Sequence, residues 1–448
     1  MADESVQVDS PAEADDDAPQ PAAPADEVLE RYRASMHRGR RVYFAIIAVI
    51  VAALGIWAAT TWSSGEAAHT SLHTFAPAPP TEGIQTPTAA PQEVWHTSDR
   101  IAIGEPQYGG TIVTYSRHTV GGRDARTGKR TWSYTRTDRN VCTAAQLTGT
   151  TIAVFAVHGN CDELTALDSD TGRRRWTRTL DMDGMPVNGQ PAYQITPYTF
   201  LAATPSVIYA IDPVSGYNRW TYQRFGCRID HVVLGGAGAL ISQTCSQQVK
   251  CVDVKFCGTG PQLLLRNGSD PQDDDKKPNA DRIDWIQRGD TNIPVSAEDV
   301  TSGDVVSTVD PTGNTLQLLD SDTGKQTQTL ALTPATSGLG PISATATDGA
   351  EIVWLSGETY AVQPNASIPL WRTNSSAPPA VASTTGETPP ALSTARITVA
   401  TSSGVAIVDG NDGNLSSFTL GPPVPGSRAY SLGTGFLVAS SAGIVAYK

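Results

Sequence analysis

The chain of 448 residues is long enough for one large domain or about three average ones, and with 17% charged and 7% aromatic residues it can bury a core. Its formal charge is −13, to which residues 1–30 contribute ten Asp and Glu with no Lys or Arg, while residues 31–41 hold five Arg. The body that remains is mildly acidic, which excludes nucleic-acid binding by electrostatic attraction.

Residues 1–41 are expected to form a disordered acidic cytoplasmic tail with a basic juxtamembrane segment, RYRASMHRGRR. The tail has too few large apolar side chains to offset the entropy of ordering. Residues 42–62, VYFAIIAVIVAALGIWAATTW, run for 21 positions without a charge. As a helix rising about 1.5 Å per residue they would span roughly 31 Å, the thickness of a bilayer's hydrocarbon core. Arginines precede the segment, and Trp57 and Trp62 stand near its far end, where interfacial aromatics belong. The expectation is a single-pass transmembrane helix in contact with the lipid bilayer, with the N-terminus cytoplasmic and the rest extracytoplasmic. A cleaved signal peptide is the rival, but its apolar region would be shorter, about 7–15 residues. Residues 63–92, rich in Pro, Ala and Thr, read as a linker.

From residue 93 to 448 the text changes to short β-branched and apolar runs separated by Gly, Asp, Asn and Pro, such as TIAVFAV, VIYAID and GVAIVD. None holds a helical period, so these are strands joined by turns. One phrase recurs: an apolar run, Asp, a short turn, Gly and then Trp. It places Asp124, Gly128 and Trp132 in one copy, Asp168, Gly172 and Trp176 in the next, and Asp212, Gly216 and Trp220 in a third. Asp320 with Gly324 and Asp409 with Gly413 repeat it without the Trp. Degenerate copies are read near Asp253 and near position 363, the latter followed by Trp371. The intervals are 44, 44, 41, 67, 43 and 46 residues, the long one containing the insertion GSDPQDDDKKPNADRID. A period of about 40–45 residues with several strands per unit marks a β-propeller blade. Within the phrase Asp caps the turn, Gly takes the positive φ, and Trp packs between blades.

The chain ends predict how the ring closes. GTGFLVASSAGIVAYK at the C-terminus supplies a second and third strand but no fourth, and VWHTSDR at 94–100 echoes the fourth strand TWSYTRTDR at 131–139. Trp95 is therefore expected to close the ring against the last blade. The fold class is all-β: an eight-bladed propeller of four-stranded blades, or seven-bladed if the region 253–300 is misread.

The repeated phrase resembles that of the pyrroloquinoline-quinone-type (quinoprotein-like) propellers. That superfamily includes quinoprotein alcohol and glucose dehydrogenases as well as cofactor-free relatives such as the outer-membrane assembly scaffold of Gram-negative bacteria. A single anchor followed by such a propeller resembles envelope proteins of actinobacteria. The resemblance covers roughly residues 93–448 and concerns blade packing rather than chemistry.

All six cysteines, Cys142, Cys161, Cys227, Cys245, Cys251 and Cys257, follow the apolar segment, as expected of disulfides in an exported domain. The first two pairs, 19 and 18 residues apart, look equivalent in two adjacent units. The start of a blade's first strand and the end of its second share one edge, which pairs Cys142 with Cys161 and Cys227 with Cys245. Cys251 and Cys257 would staple the turn after a third strand. A zinc site built from the same cysteines is the alternative.

Candidate chemistry is sparse. The triads Asp170-Thr171-Gly172 and Asp322-Thr323-Gly324 invite an aspartic-protease reading, but their flanking residues are wrong and both fall in the repeated turn. The Asp-x-Asp or Asp-x-Asn pairs at 168, 320 and 409 could hold calcium but lack a downstream bidentate Glu. A quinone-dependent dehydrogenase would bring the quinone cofactor and calcium, yet no adjacent cysteine pair or matching ligand set is present, so no catalytic, cofactor-binding or metal residue is assigned. The expected role is non-catalytic, with an envelope or secreted protein bound on the propeller. Recognition of a carbohydrate or cell-wall ligand in the central funnel is the second reading, and the dehydrogenase the third.

Overall fold

A computed structural model describes residues 30, 43–57, 60, 65–79, 87, 90–104, 110–147, 149–181, 192–196, 199–246, 258–266, 283–289, 292–297, 305–310, 315–332, 342–355, 357–364, 366–383, 391–420 and 427–448. The chain divides into two units, residues 1–68 and 69–448. In the first, residues 43–57 are helical, and Tyr43, Phe44, Ile50, Ile56 and Trp57 are exposed. Among the described residues no helix is long and apolar enough to cross a membrane. Of the expected span 42–62, residues 43–57 and 60 are helical, and 42, 58, 59, 61 and 62 lie outside the described residues.

The second unit begins with two strands that join distant sheets, β1 (Thr70–Thr74) and β2 (Glu93–Thr97). Eight sheets follow. Blade 1 comprises β3 (Arg100–Ile101), β4 (Thr111–Tyr115), β5 (Thr119–Asp124) and β6 (Arg130–Arg136). Blade 2 comprises β7 (Val141–Leu147), β8 (Thr150–Val157), β9 (Asn160–Asp168) and β10 (Arg174–Thr179). Blade 3 holds β11 (Ala192–Ile195), β12 (Phe200–Ala203), β13 (Val207–Ile211) and β14 (Asn218–Gln223). Blade 4 holds β15 (Cys227–Gly235), β16 (Gly238–Cys245), β17 (Gly260–Arg266) and β18 (Ile283–Arg288). Blade 5 is β19 (Ile293–Ser296) to β22 (Gln326–Ala331), with β20 (Val305–Val309) and β21 (Thr315–Asp320) between. Blade 6 runs through β23 (Ile342–Thr347), β24 (Ala350–Leu355), β25 (Glu358–Val362) and β26 (Trp371–Asn374). Blade 7 runs through β27 (Ala380–Ser383), β28 (Ala395–Thr401), β29 (Gly404–Asp409) and β30 (Leu415–Thr419). Blade 8 takes β31 (Arg428–Leu432), β32 (Gly435–Ser440) and β33 (Gly443–Tyr447) from the C-terminus and β2 from the N-terminus. Every neighbouring pair of strands is antiparallel, and the count is eight blades.

The core lies between the blades. Buried apolar side chains form a cluster at each seam, for instance Val113 and Trp132 of blade 1 with Phe155 and Leu167 of blade 2, and Ile112 of blade 1 with Tyr430 and Leu437 of blade 8. A middle strand is covered by neighbouring blades on both faces, so β8 is buried from Thr150 to Phe155. This is why TIAVFAV reads as an unbroken apolar run. The outer strand β10 shows the alternation of a half-exposed strand instead.

Ring closure follows the sequence expectation. Strand β2 pairs with β33, with Trp95 opposite Ala446 and Thr97 opposite Ile444. Three other expectations need correction. The segment 63–92 is not linker throughout, because β1 adds a fifth strand to the outer edge of blade 1, with Thr70 opposite Arg136 and Thr74 opposite Trp132. The third strand of blade 4 is β17 rather than a strand ending at Asp253, which lies outside the described residues. The repeat falls later than its expected phase, because β16 ends at Cys245, β17 begins only at Gly260, and β18 begins at Ile283. Finally, the cysteine pairs belong to blades 2 and 4, which are separated by blade 3 rather than adjacent.

Candidate functional site

The repeated turn is built from its aspartate outward. Asp168 Oδ1 accepts from the Thr171 amide at 3.0 Å and from the Thr171 hydroxyl at 2.9 Å, and Oδ2 accepts from Arg175 at 2.6 Å. Burial alone would raise the Asp168 carboxyl, but the hydrogen bonds from Arg175 and Thr171 outweigh it and hold the carboxyl below its usual value. Gly172 has φ 70°, which a side chain adopts only with strain. Asp124, Asp212, Asp320 and Asp409 cap their turns alike, accepting from the amides of Arg126, Val214, Thr323 and Asn411 at 2.8, 2.9, 2.8 and 3.0 Å.

Each turn receives a tryptophan from the preceding blade. Trp132 of blade 1 lies over Gly172 of blade 2 and donates its Nε1–H to the Ser169 carbonyl at 2.7 Å. A β-carbon at Gly172 would stand 2.5 Å from the indole, so the close approach requires glycine. Trp95 does the same to Gly128 and Ala125 at 3.0 Å, and Trp176 to Gly216 and Val214 at 3.0 Å. Further round the ring, Trp285 meets Gly324 and Ser321 at 2.6 Å, and Trp371 meets Gly413 and Gly410 at 2.9 Å. The physical unit is thus a tryptophan and the next blade's Asp–Gly turn, not the turn that precedes it in sequence. This fits the lack of a Trp in the Asp320 and Asp409 hairpins: the blade 6 turn at 363–370 has no Asp–Gly pair, and in blade 8 the third and fourth strands come from opposite ends of the chain with no turn between them. It also identifies Trp285, which sequence reading passed over because its own hairpin had lost the phrase. Trp220 has a different receptor, the Arg266 guanidinium 4.0 Å from its ring centre.

Both described disulfides form as expected, Cys142–Cys161 and Cys227–Cys245. Cys251 and Cys257 lie outside the described residues. Cys227 and Cys245 are direct cross-strand partners in β15 and β16. Cys161 instead is the second residue of β9, so its bond to Cys142 passes over the end of β8, where the ladders on both sides are bulged. Strand directions place these four cysteines at the end of the blades opposite the Asp–Gly turns.

Beside β1 sits a buried ion network. The Arg136 guanidinium, 1% exposed, holds Asp138 through contacts of 3.0 and 2.9 Å and Glu163 of blade 2 at 3.0 Å. Arg139 also reaches both acids. The hydrogen bonds from Arg136 pull the Asp138 carboxyl down to about 2. The Thr137 amide donates to the His69 carbonyl at 2.9 Å, tying the incoming arm to this corner.

Other candidate chemistry does not assemble. The two Asp-Thr-Gly triads lie in blades 2 and 5, which are not neighbours in the ring, so their carboxylates do not form the shared-proton pair of an aspartic protease. Among the described residues no group of three or more His, Cys, Asp and Glu is placed to hold a metal ion. The oxygens of Asp168, Asp320 and Asp409 already face N–H and O–H donors, a poor fit for calcium.

Fold and site define a class, the β-propeller built of repeats whose tryptophans close the seams. A family model described as outer membrane protein assembly factor BamB matches residues 82–234, less than half of the chain. That match and the eight-bladed fold together support a propeller of the pyrroloquinoline-quinone type. No curated protein matches significantly. Among solved structures, the computationally designed Ika8 protein aligns with a TM-score of 0.49 and 11% identity over 79% of this chain and 98% of its own. BamB from Moraxella catarrhalis gives 0.35 and 15% over 84% and 95%, and Hsv2p from Kluyveromyces lactis 0.40 and 9% over 76% and 89%. At these scores none of the three bears on what the chain does.

Proposed function

We propose that the chain is a non-catalytic scaffold of the cell envelope: a single-pass anchor at residues 42–62 carrying an extracytoplasmic propeller that binds another protein. The observation that carries this reading is the match of residues 82–234 to the assembly-factor model. In those blades the repeated residues are occupied in turn capping and seam packing, as a rigid platform requires. The anchor rests on the 21 uncharged residues behind an arginine-rich flank, and the two disulfides fit an oxidising compartment. The test is in-cell crosslinking of the full chain followed by mass spectrometry. A defined envelope protein crosslinked to propeller residues is expected, and recovery of the chain alone would refute the reading.

A further inference from the structure

The Asp–Gly turns all lie at one end of the blades, but their exposed positions are not alike. Two residues after each Asp stand Arg126, Asp170, Val214, Asp322 and Asn411, and five after it Lys129, Arg173, Tyr217, Lys325 and Asn414. Only blade 3 places apolar side chains there, with Val214 63% and Tyr217 76% exposed. Nothing in the turn asks for them, since the cap uses only the Val214 and Ser215 amides. Blades 1 and 2 are unusual in charge. Their turn ends carry Arg123, Arg126, Lys129, Arg130, Arg173, Arg174 and Arg175 against Asp99, Asp124, Asp168 and Asp170. Residues 99–180 hold twelve Lys and Arg to eight Asp and Glu, whereas residues 181–448 hold fifteen to twenty-four. The arm brings a third element to the same place: Thr74 bonds the Thr171 carbonyl at 3.1 Å and the Phe75 amide the Thr131 carbonyl at 2.7 Å, leaving Phe75 54% exposed.

We infer that this arc over blades 1 to 3 is the docking site for an extended acidic segment of a protein partner, whose carboxylates lie on the arginines and whose apolar end reaches Val214 and Tyr217. The inference rests on the scaffold reading and names the partner's chemistry. Arginine and exposed aromatics are the residue types enriched at protein interfaces, and an exposed apolar group beside a net positive field, here seven Lys and Arg against four Asp, marks such a site.

The experiment measures fluorescence anisotropy of a labelled peptide of alternating Glu and Gly ending in Leu-Trp, titrated with the purified full chain. Arg130→Glu with Arg173→Glu should weaken binding about tenfold and remove its salt dependence. Val214→Ser with Tyr217→Ser should weaken it about threefold, and the control Arg117→Glu with Arg228→Glu at the opposite end should change nothing. An unaffected charge-reversal variant, a control weakened equally, or capture of phosphatidylglycerol vesicles through the same arginines would overturn the inference. Crosslinking the wild type and the charge-reversal variant in the envelope separates the two levels. Equal capture of one partner by both sinks the arc and leaves the scaffold, whereas no capture by the wild type sinks the scaffold itself.

Discussion

Blades 2 and 4 carry the same two devices, a received tryptophan and a disulfide, and build each differently. In blade 2 the incoming Trp132 is fully buried against Gly172 and a turn carbonyl. In blade 4 the incoming Trp220 is 8% exposed and lies under Arg266. The fourth-strand tryptophan therefore persists while its receptor changes, because any flat, well-packed surface can take an indole but only a glycine turn also supplies a carbonyl at hydrogen-bond distance. The cystines differ in the same spirit. One ties the first strand of blade 2 to the third across a bulge, and the other links two neighbouring strands already paired in register.

The largest expected effect tests the receptors. Trp132→Ala should destabilise the ring by about 3–5 kcal/mol, read from urea unfolding, through loss of packing and of one buried hydrogen bond. Trp220→Ala should remove less, and the opposite order would break the comparison. Next come the disulfides. Replacing either pair by alanine should lower stability by at most about 3 kcal/mol, and nearly equally, since the closed loops are 19 and 18 residues long. Hydrogen exchange should tell them apart: the loss should loosen β7, β8 and β9 together in blade 2, but only β15 and β16 in blade 4. Gly172→Ala should follow at about 2 kcal/mol from φ strain and the clash with Trp132, with Arg266→Ala smaller still at about 1 kcal/mol. Equal losses would mean that the two receptors are equivalent after all.

The smallest effect concerns the acid limb of the blade 1–2 corner. The Asp138 carboxyl is held at about 2 against an ordinary value of 3.8. Its stabilisation is therefore complete above the ordinary value and is lost as the pH falls towards about 2. Asp138→Asn should flatten the fall in melting temperature across that window by lowering the neutral-pH value towards the acid one, a modest shift because the carboxylate is partly exposed. An unchanged acid limb would show that Arg136 and Glu163 hold the corner without it.

Much of this was legible in the residues. The strand runs, the glycine turns and the closure by Trp95 each depend on patterns a few residues long or on the pairing of an orphan fourth strand with an incomplete blade. What misled was phase. Reading Asp, Gly and Trp as one hairpin phrase hid the pairing of Trp285 with Gly324 and of Trp371 with Gly413, because the partners lie on different blades. Setting the two cystines in adjacent units has another cause, for it skips the Asp212 hairpin that lies between them. Strand β1 escaped for another reason: TSLHT is short, four of its five residues are exposed, and what orders it, the free edge of β6 and the Thr171 carbonyl of blade 2, lies far off in sequence.

By itself, then, the amino-acid order determined that this chain makes short strands, turns them on Asp and Gly, and repeats them until the first and last pieces complete one blade. These outcomes follow from backbone preference and apolar periodicity, which act locally. Only the tertiary structure decided which tryptophan meets which turn, that the arm docks on blade 1, and that arginines from two hairpins meet Val214 and Tyr217 of a third on one rim. Those contacts join residues tens of positions apart, and their identity is fixed by the packing of each blade against the next.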